Sequence, residues 1–164
     1  MATLFLMCGV PGSGKTTWAK DHLHENNIYI SRDEIRFSLL KEGDEYFSKE
    51  TEVFNTFVKN INDSLQHGFN VYADATHINE ASRKKLINRI ENDIDIQIIF
   101  IKTSLEFSLA RNELRKETKR YVPREVIRRM YYQFEAPNFS EDERISAIHI
   151  VNENNKITTK RRKI

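Results

Sequence analysis

The chain has 164 residues, of which 39% are hydrophobic and 30% are charged, a composition typical of one globular domain with a layered core. Its formal net charge of +2 is too small to indicate a nucleic-acid partner from charge alone. The single cysteine, Cys8, excludes an internal disulfide. No apolar stretch is long enough to span a membrane, and the apolar residues 4–8 lack the basic leader of a signal peptide. We therefore expect a cytoplasmic protein with no membrane partner.

Strand and helix patterns alternate along the chain. Short apolar runs predict strands at residues 3–9, 28–31, 70–74, 95–102 and 145–151. Helical patterns are found at residues 15–25, 33–41, 49–68, 79–92, 105–117 and 124–134. Strands separated by helices predict an α/β fold with a parallel sheet of about five strands and right-handed crossovers.

Three helix boundaries carry local signals. Gly68 is expected just past the end of the helix that begins near residue 49, where a left-handed residue is favoured. Thr103 and Glu106 have the spacing of a capping box before the next predicted helix. Pro123 precedes the last helix, where its missing N–H is tolerated.

The chain contains no repeat, low-complexity segment or linker that would divide it. We therefore predict a single domain over residues 1–152 and a basic C-terminal tail over residues 153–164. The tail sequence KITTKRRKI favours a frayed, solvated terminus over a contact with nucleic acid.

A phosphate-binding loop follows the first strand. The sequence GVPGSGKT at residues 9–16 matches G-x-x-x-x-G-K-[ST] and stands between a strand and a helix, as this motif requires. Its glycines let backbone N–H groups curl around phosphate oxygens, Lys15 can reach the β- and γ-phosphates, and the Thr16 hydroxyl can ligate Mg²⁺. We predict that ATP and Mg²⁺ are bound by Gly12, Ser13, Gly14, Lys15, Thr16 and Thr17. The motif specifies the fold as a three-layer P-loop NTPase.

Charged residues crowd the start of the helix after the second strand, in the sequence ISRDEIRFSLL. Ser31 and Glu34 suit the N-cap and the third position of a helix. Ligands of parallel sheets lie beyond the carboxyl ends of the strands, so Asp33 should face the same crevice as the P-loop, with Arg36 one turn further on the same side. From these residues alone, a helix cap and an acceptor site are both open interpretations.

Three segments together resemble the kinase domain of phage-type polynucleotide 5′-kinases, which are P-loop kinases with an adenylate-kinase-like core. They are GVPGSGKTTWAK at residues 9–20, SRDEIRFSL at residues 31–39 and RNELRKETKRYVPREVIRRMYYQF at residues 111–134. The resemblance covers about residues 4–134. It favours the acceptor-site interpretation of Asp33 and Arg36.

The resemblance implies roles for individual residues. Asp33 would act as general base on a 5′-hydroxyl, and Arg36 would bind the acceptor's phosphate. Lys15 and Thr16 would hold the ATP phosphates and Mg²⁺, and Arg115 would stabilise the transferring phosphoryl group from a lid.

A basic stretch supports a lid at about residues 111–133. Residues 111–129 contain eight basic residues and three acids. On the predicted helix Arg111 and Arg115 are four residues apart, so both can face one anion, and we assign Arg111 to ATP binding. The alternative is a solvated basic face.

The third strand ends in YADATH. Asp74 can ligate Mg²⁺ through water or contact the acceptor. The broader P-loop kinase group often has D-x-T-N here, whereas this chain has His77 in place of the asparagine, and phage-type enzymes can place the acid at the position of Ala75. A histidine in such a loop is usually an ordinary surface residue.

We therefore expect an ATP-dependent kinase of the 5′-hydroxyl of DNA or RNA. One alternative is a P-loop kinase of a nucleoside or other small metabolite, for which Arg36 would have no phosphate to bind. Another is a non-catalytic ATP-binding module that regulates a partner. The sequence leaves the nucleic-acid type and the oligomeric state open, a homo-oligomer included.

Overall fold

The computed structural model describes residues 1–91 and 93–163, which contain six strands. They are β1 (Thr3–Cys8), β2 (Asn27–Ser31), β3 (Asn70–Asp74), β4 (Asp95–Ile101), β5 (Ile145–Val151) and β6 (Ile157–Arg161). The sheet order is β2-β3-β1-β4-β5-β6, and every neighbouring pair is parallel except β5 and β6, which are antiparallel. The predicted α/β P-loop fold is confirmed.

Helices cover both faces of the sheet. They are α1 (Lys15–Asp21), α2 (Arg32–Leu39), α3 (Glu50–Gln66), α4 (Glu80–Ile87), α5 (Leu105–Glu113) and α6 (Arg124–Gln133), with a short 3-10 helix at Phe139–Glu141. Along β1, Leu4 and Leu6 face the core made with α3 and α4, whereas Met7 faces the core made with α1. Burial on both faces explains why β1 is continuously apolar.

Some helix boundaries differ from the prediction. Gly68 follows α3 at φ 87° as expected, but α5 is capped by Ser104, whose hydroxyl accepts from the Phe107 N–H, and not by Thr103. The α5 helix ends at Glu113, so Arg115 lies in the following turn and not on the same helix as Arg111. The α4 helix ends at Ile87, and the last residue predicted for it, 92, lies outside the described residues.

The C-terminal segment is not frayed, and that prediction was wrong. All of β6 pairs with β5, from Val151 opposite Ile157 to Ala147 opposite Arg161. The Arg162 guanidinium then donates to the carbonyls of Ile145 and Asp142, each at 2.7 Å. The β-branched run Ile-Thr-Thr favours a strand, but the surrounding charges hid this signal.

The loop after β3 is tied to the strand that carries the P-loop. The Gly9 N–H donates to the Thr76 carbonyl at 3.0 Å, and the His77 Nδ1–H donates to the Met7 carbonyl at 2.6 Å. His77 is buried with φ 43°, and its own carbonyl accepts from the fully buried Arg83 at 2.8 Å. His77 is therefore not a surface residue but a buried link between two strand ends.

Burial lowers the pKa of His77 to about 4. Between about pH 6.5 and pH 4 the unfolded chain binds a proton that the folded protein does not, so stability falls as pH falls. We expect a loss of about 2–3 kcal/mol in the free energy of unfolding between about pH 7 and pH 4.5 from this residue. Denaturant titrations of His77→Asn should show a correspondingly shallower pH dependence.

The control is His67→Asn, which changes an exposed histidine at the end of α3. Its pH dependence should match that of the unmodified protein. Equal pH dependence in His77→Asn and the unmodified protein would contradict the assignment.

Candidate active site

Three strand ends meet at one edge of the sheet. The P-loop follows β1, Ser31 ends β2, and Asp74 ends β3, with Ser31 directly opposite Asp74 in the pairing register. Parallel strands have their carboxyl ends at the same edge, so the predicted site residues of three separate segments converge there.

The P-loop is packed closely against α5. A Cβ on Gly12, which has φ 82°, would lie 2.4 Å from the Ser108 carbonyl oxygen, so only glycine fits. Lys15 is buried and donates to the Val10 carbonyl at 3.1 Å. Burial lowers the pKa of Lys15, while the charges of Asp74 and Asp33 oppose that shift. The two carboxylates therefore favour the charged form of Lys15.

Two donors at the loop have no protein partner among the described residues. They are the buried Ser13 hydroxyl and the buried Nε of Arg111. The Arg111 guanidinium lies beside Gly14, 4.0 Å from where a Cβ would stand. Buried donors normally have partners, so these unpaired groups fit a site that receives phosphate oxygens.

The Mg²⁺ ligands predicted from the sequence lie next to each other. The Thr16 hydroxyl donates to Asp74 Oδ2 at 2.8 Å, and the Tyr29 hydroxyl donates to the same oxygen at 2.5 Å. Burial and the charge of Asp74 raise the pKa of Tyr29, so the tyrosine stays protonated and keeps donating. A hydroxyl and a carboxylate beside a phosphate loop form a donor set that suits Mg²⁺.

Arg36 is held by other side chains in the protein. Its Nη1 donates to Asp33 and to the Tyr46 hydroxyl, and its Nε and Nη2 donate to Glu50 at 3.0 and 2.6 Å. Burial lowers the pKa of Arg36, but its hydrogen bonds to Glu50, together with its electrostatic interactions with Tyr46, Asp33 and Glu50, more than offset this, and the pKa is raised. These contacts leave one Nη2 N–H for another ligand, so Arg36 is a weaker phosphate fork than the sequence suggests.

Asp33 itself is open to solvent. Its side chain is 58% exposed, although one oxygen accepts from Arg36. Ser31 caps α2 by accepting from the Glu34 N–H at 3.2 Å, so the capping interpretation is correct for Ser31 and leaves Asp33 free. Asp33 therefore presents a carboxylate at the mouth of the site.

The segment predicted to form a lid, residues 111–133, reaches this edge. Asn112 is fully buried and bonds both the N–H and the carbonyl of Val122, which joins the two ends of the connecting loop between α5 and α6. Burial and the neighbouring charges of Arg111 and Arg120 lower the pKa of Arg115, while Asp33 and Asp74 act in the opposite direction. Arg120 reaches Glu34 at 3.4 Å. Arg115 of this segment therefore interacts electrostatically with both Asp33 and Asp74.

A cavity of about 260 Å³ continues from the P-loop beneath α5. Its walls include Gly14, Thr17, Trp18 and Arg111, together with Asn152 and Asn155 from the turn between β5 and β6. It can receive the part of a nucleotide beyond its phosphates. Sequence reasoning missed Asn155 because it lies in the segment predicted as a tail, and Asn152 because it ends the predicted domain without belonging to a motif.

Two further residues were missed. Tyr29 contacts Asp74, and Glu50 contacts Arg36. The partners in each pair are separated by 45 and 14 positions in the chain. Apolar alternation marked Tyr29 only as a strand residue, and Glu50 belonged to an acidic segment without a motif, so neither carried a signal of its own.

Comparison with known proteins agrees with this geometry. A family model described as an AAA domain matches residues 4–137. The L-seryl-tRNA(Sec) kinase of Methanococcus maripaludis is 31% identical over 143 residues, which are 82% of this chain and 53% of that protein. The chain therefore spans about half the length of this relative.

Solved structures show the same fold at low identity. A chain of the Pnkp1/Rnl/Hen1 RNA repair complex has a TM-score of 0.72 at 22% identity, covering 80% of this chain and 43% of that one. Kti12 of Chaetomium thermophilum, in complex with ADP-AlF3, has a TM-score of 0.69 at 17% identity, covering 93% and 90%. A sugar kinase from Janibacter sp. HTCC2649 has a TM-score of 0.63 at 15% identity, covering 93% and 85%.

The fold and the phosphate loop define a P-loop NTPase domain, and the proteins similar to it include kinases. The chain belongs to the family whose model matches residues 4–137. None of the helices in the described part of the chain is long and apolar enough to cross a membrane.

The Tyr29 hydroxyl orients Asp74, so its removal should weaken the binding of Mg²⁺ together with ATP. We expect Tyr29→Phe to raise the Mg²⁺ concentration required for half-maximal ATP binding by about 10-fold, the usual effect of losing a partner of a metal-site carboxylate. Calorimetric titration of ATP at several Mg²⁺ concentrations measures this.

Tyr72→Phe is a matched control, because Tyr72 pairs with Tyr29 in register and its hydroxyl makes no hydrogen bond to Asp74 in the part of the chain described. An unchanged Mg²⁺ requirement in Tyr29→Phe would show that the tyrosine only fills space.

Proposed function

We propose that this domain is an ATP-dependent kinase that transfers the γ-phosphate to a hydroxyl of a nucleic acid, namely the 5′-hydroxyl end of DNA or RNA. The observation that carries the proposal is the exposed carboxylate of Asp33, which lies at the same edge as the P-loop and acts electrostatically on both Lys15 and Arg115. In a module that only binds ATP, an exposed carboxylate at this position would have no acceptor proton to receive.

The proposed reaction moves one phosphoryl group. The acceptor oxygen forms a bond to the γ-phosphorus of ATP, the bond from that phosphorus to the β–γ bridging oxygen breaks, and ADP leaves with its electron pair. The hydroxyl proton passes to the Asp33 carboxylate. Such transfers depend mainly on positioning and on stabilisation of charge.

Three cations of this chain would stabilise that charge. Lys15 would release its contact with the Val10 carbonyl and bind the β- and γ-phosphates. Arg111 would offer its unpaired Nε to the phosphates, and Arg115 would reach the transferring group from the lid. Burial lowers the pKa values of Lys15 and Arg115 because it disfavours their charged forms. The negative charge of bound phosphates would favour those charged forms and so act against the effect of burial.

Thr16 and Asp74 would hold Mg²⁺, Thr16 through its hydroxyl and Asp74 through water. When bound, the ion neutralises charge on the β- and γ-phosphate oxygens. Thr17 lines the cavity next to the loop and would contact the nucleotide beyond its phosphates.

The lid supports an acceptor that carries phosphates. Among its residues, Lys116 and Lys119 are exposed, and no ion pair to an acid is found for either of them in the described residues. Arg36 would keep Asp33 oriented and offer its remaining N–H to the acceptor. A small neutral metabolite would leave the lysines of the lid without a role.

A second candidate is a kinase of a serine hydroxyl carried on RNA. It is favoured by the 31% identity to the protein named L-seryl-tRNA(Sec) kinase. It also needs an ATP site, a base and a basic lid, so the two candidates differ only in the acceptor.

The deciding experiment supplies γ-labelled ATP and Mg²⁺ with separate acceptors. These are 5′-hydroxyl DNA, 5′-hydroxyl RNA, seryl-tRNA, a nucleoside and a panel of sugars. We expect label on a 5′-hydroxyl end. Label on seryl-tRNA alone would replace the first candidate by the second, and label on a small molecule alone would overturn both. Binding of ATP without transfer to any acceptor would indicate a regulatory module.

Asp33→Asn keeps the shape of the side chain but removes the base. We expect the transfer rate to fall by about 10²–10⁴-fold while the affinity for ATP changes little, because general base catalysis belongs to the chemical step. Single-turnover kinetics and ATP titrations separate the two quantities. Asp63→Asn, which changes an exposed acid on α3, should leave both unchanged. Normal transfer by Asp33→Asn would remove Asp33 from its role.

Arg36→Lys keeps the charge but loses the fork that joins Asp33 to Glu50. We expect about a tenfold fall in kcat together with a higher KM for the acceptor, because both the base and the acceptor contact lose a charged hydrogen bond. Arg89→Lys, at an exposed arginine bonded to Asn55, is the control. A change confined to the acceptor KM would contradict the role of Arg36 in orienting Asp33.

A further inference from the structure

Two aromatic side chains are exposed in the loop between α2 and α3. Tyr46 is 40% exposed and Phe47 is 69% exposed, and their rings meet edge to face with centroids 4.6 Å apart. Single exposed apolar residues are common on protein surfaces, but a pair of rings in contact is a larger apolar feature. We call this pair the aromatic platform.

The aromatic platform borders the proposed base. The Arg36 guanidinium, which bonds Asp33, lies 4.9 Å from the centroid of the Tyr46 ring and 5.8 Å from that of Phe47. The same Nη1 donates to both Asp33 and the Tyr46 hydroxyl. One arginine therefore fixes the carboxylate and the first ring relative to each other, with the second ring projecting beyond them.

A groove opens beside the second ring. It has a volume of about 620 Å³ and runs from Phe47 along α3, where Thr51 and Asn55 form part of its wall. A volume of this size lies within the range that takes a small organic group. The groove connects to the proposed base through Glu50, which lines it and accepts from the same Arg36 guanidinium that bonds Asp33.

Charge decides what kind of group fits. Residues 42–52 contain five acids (Glu42, Asp44, Glu45, Glu50 and Glu52) and one base (Lys49). The nearby positive charge of Arg36 already pairs with Glu50 and Asp33. Lys49 and Lys59, which line the groove, are already paired with Asp44 and Asp63, whereas no cation partner is found among the described residues for Glu52 in the same wall. A phosphate would therefore find no unpaired lysine in this wall, whereas an uncharged planar ring would gain stacking and polar contacts. The phosphates of a polynucleotide would instead lie toward the basic lid.

We propose that the aromatic platform binds the nucleobase of the acceptor's terminal nucleotide, with Phe47 stacking on the base and Tyr46 supporting Phe47. This inference rests on the proposed function, since it requires a nucleic-acid acceptor. It gives the two sides of the acceptor separate recognition elements: the aromatic platform for the base and the lid for the backbone. Stacking is tolerant of sequence because every base has a flat face, so little preference among the four bases is expected.

The test compares two 5′-hydroxyl oligonucleotides that differ only in the terminal nucleotide, which carries a base in one and is abasic in the other. For the oligonucleotide with the base, Phe47→Ala should raise the acceptor KM by about tenfold with kcat little changed. For the abasic oligonucleotide, Phe47→Ala and the unmodified protein should have the same KM. Phe47→Tyr keeps the ring and should restore the KM for the oligonucleotide with the base.

Phe69→Ala is the matched control, since Phe69 is 37% exposed and follows the far end of α3. It should leave both KM values unchanged. Melting temperatures of all variants identify any loss of folding, and Phe47→Leu, which retains apolar volume without an aromatic face, should behave as Phe47→Ala does if stacking is the cause.

The outcomes separate the two proposals. Transfer to 5′-hydroxyl ends with equal KM changes for both oligonucleotides, or with no change for either, overturns the aromatic platform and leaves the proposed function intact. Absence of transfer by the unmodified protein to any 5′-hydroxyl end overturns the proposed function, and the inference about the terminal base with it.

Discussion

The parallel pairing of β2, β3 and β1 is the constraint on which the rest of the site depends. It places the end of each strand at one edge of the sheet, so a loop, a helix start and a carboxylate from distant segments become neighbours. The bonds from Gly9 to Thr76 and from His77 to Met7 then join two of these ends directly. The phosphate loop keeps its shape because the strands beneath it and the α5 backbone beside it leave it little room to move.

Placing partly buried charged groups at this edge costs free energy of desolvation, and hydrogen bonds from neighbouring groups offset that cost. Asp74 and Arg36 both have partners: Asp74 accepts from Thr16 and Tyr29, and Arg36 donates to Asp33 and Glu50. Unpaired charges in such surroundings would be strongly destabilising. The same hydrogen bonds hold the carboxylates in fixed orientations before any substrate binds, which is the condition for electrostatic catalysis.

Most of the fold could be predicted from local patterns. The strands, the P-loop and the Ser31 cap each depend on residues close together in the chain. The errors arose where a local signal was weak or ambiguous. The run 157–161 carries charges typical of a tail yet pairs with β5, and Arg115 continues a helical pattern yet lies beyond the end of α5.

The sequence by itself determined the phosphate chemistry, because a P-loop is a contiguous motif whose residues act together in any fold that supports it. Only the tertiary structure decided which separate groups meet: Tyr29 with Asp74, Glu50 with Arg36, and the aromatic platform with Arg36. It also changed the picture of Arg36, from a free phosphate fork to a guanidinium already bonded to two carboxylates. These contacts depend on how strands and helices pack, and pairwise packing across a fold leaves no periodic trace in a single sequence.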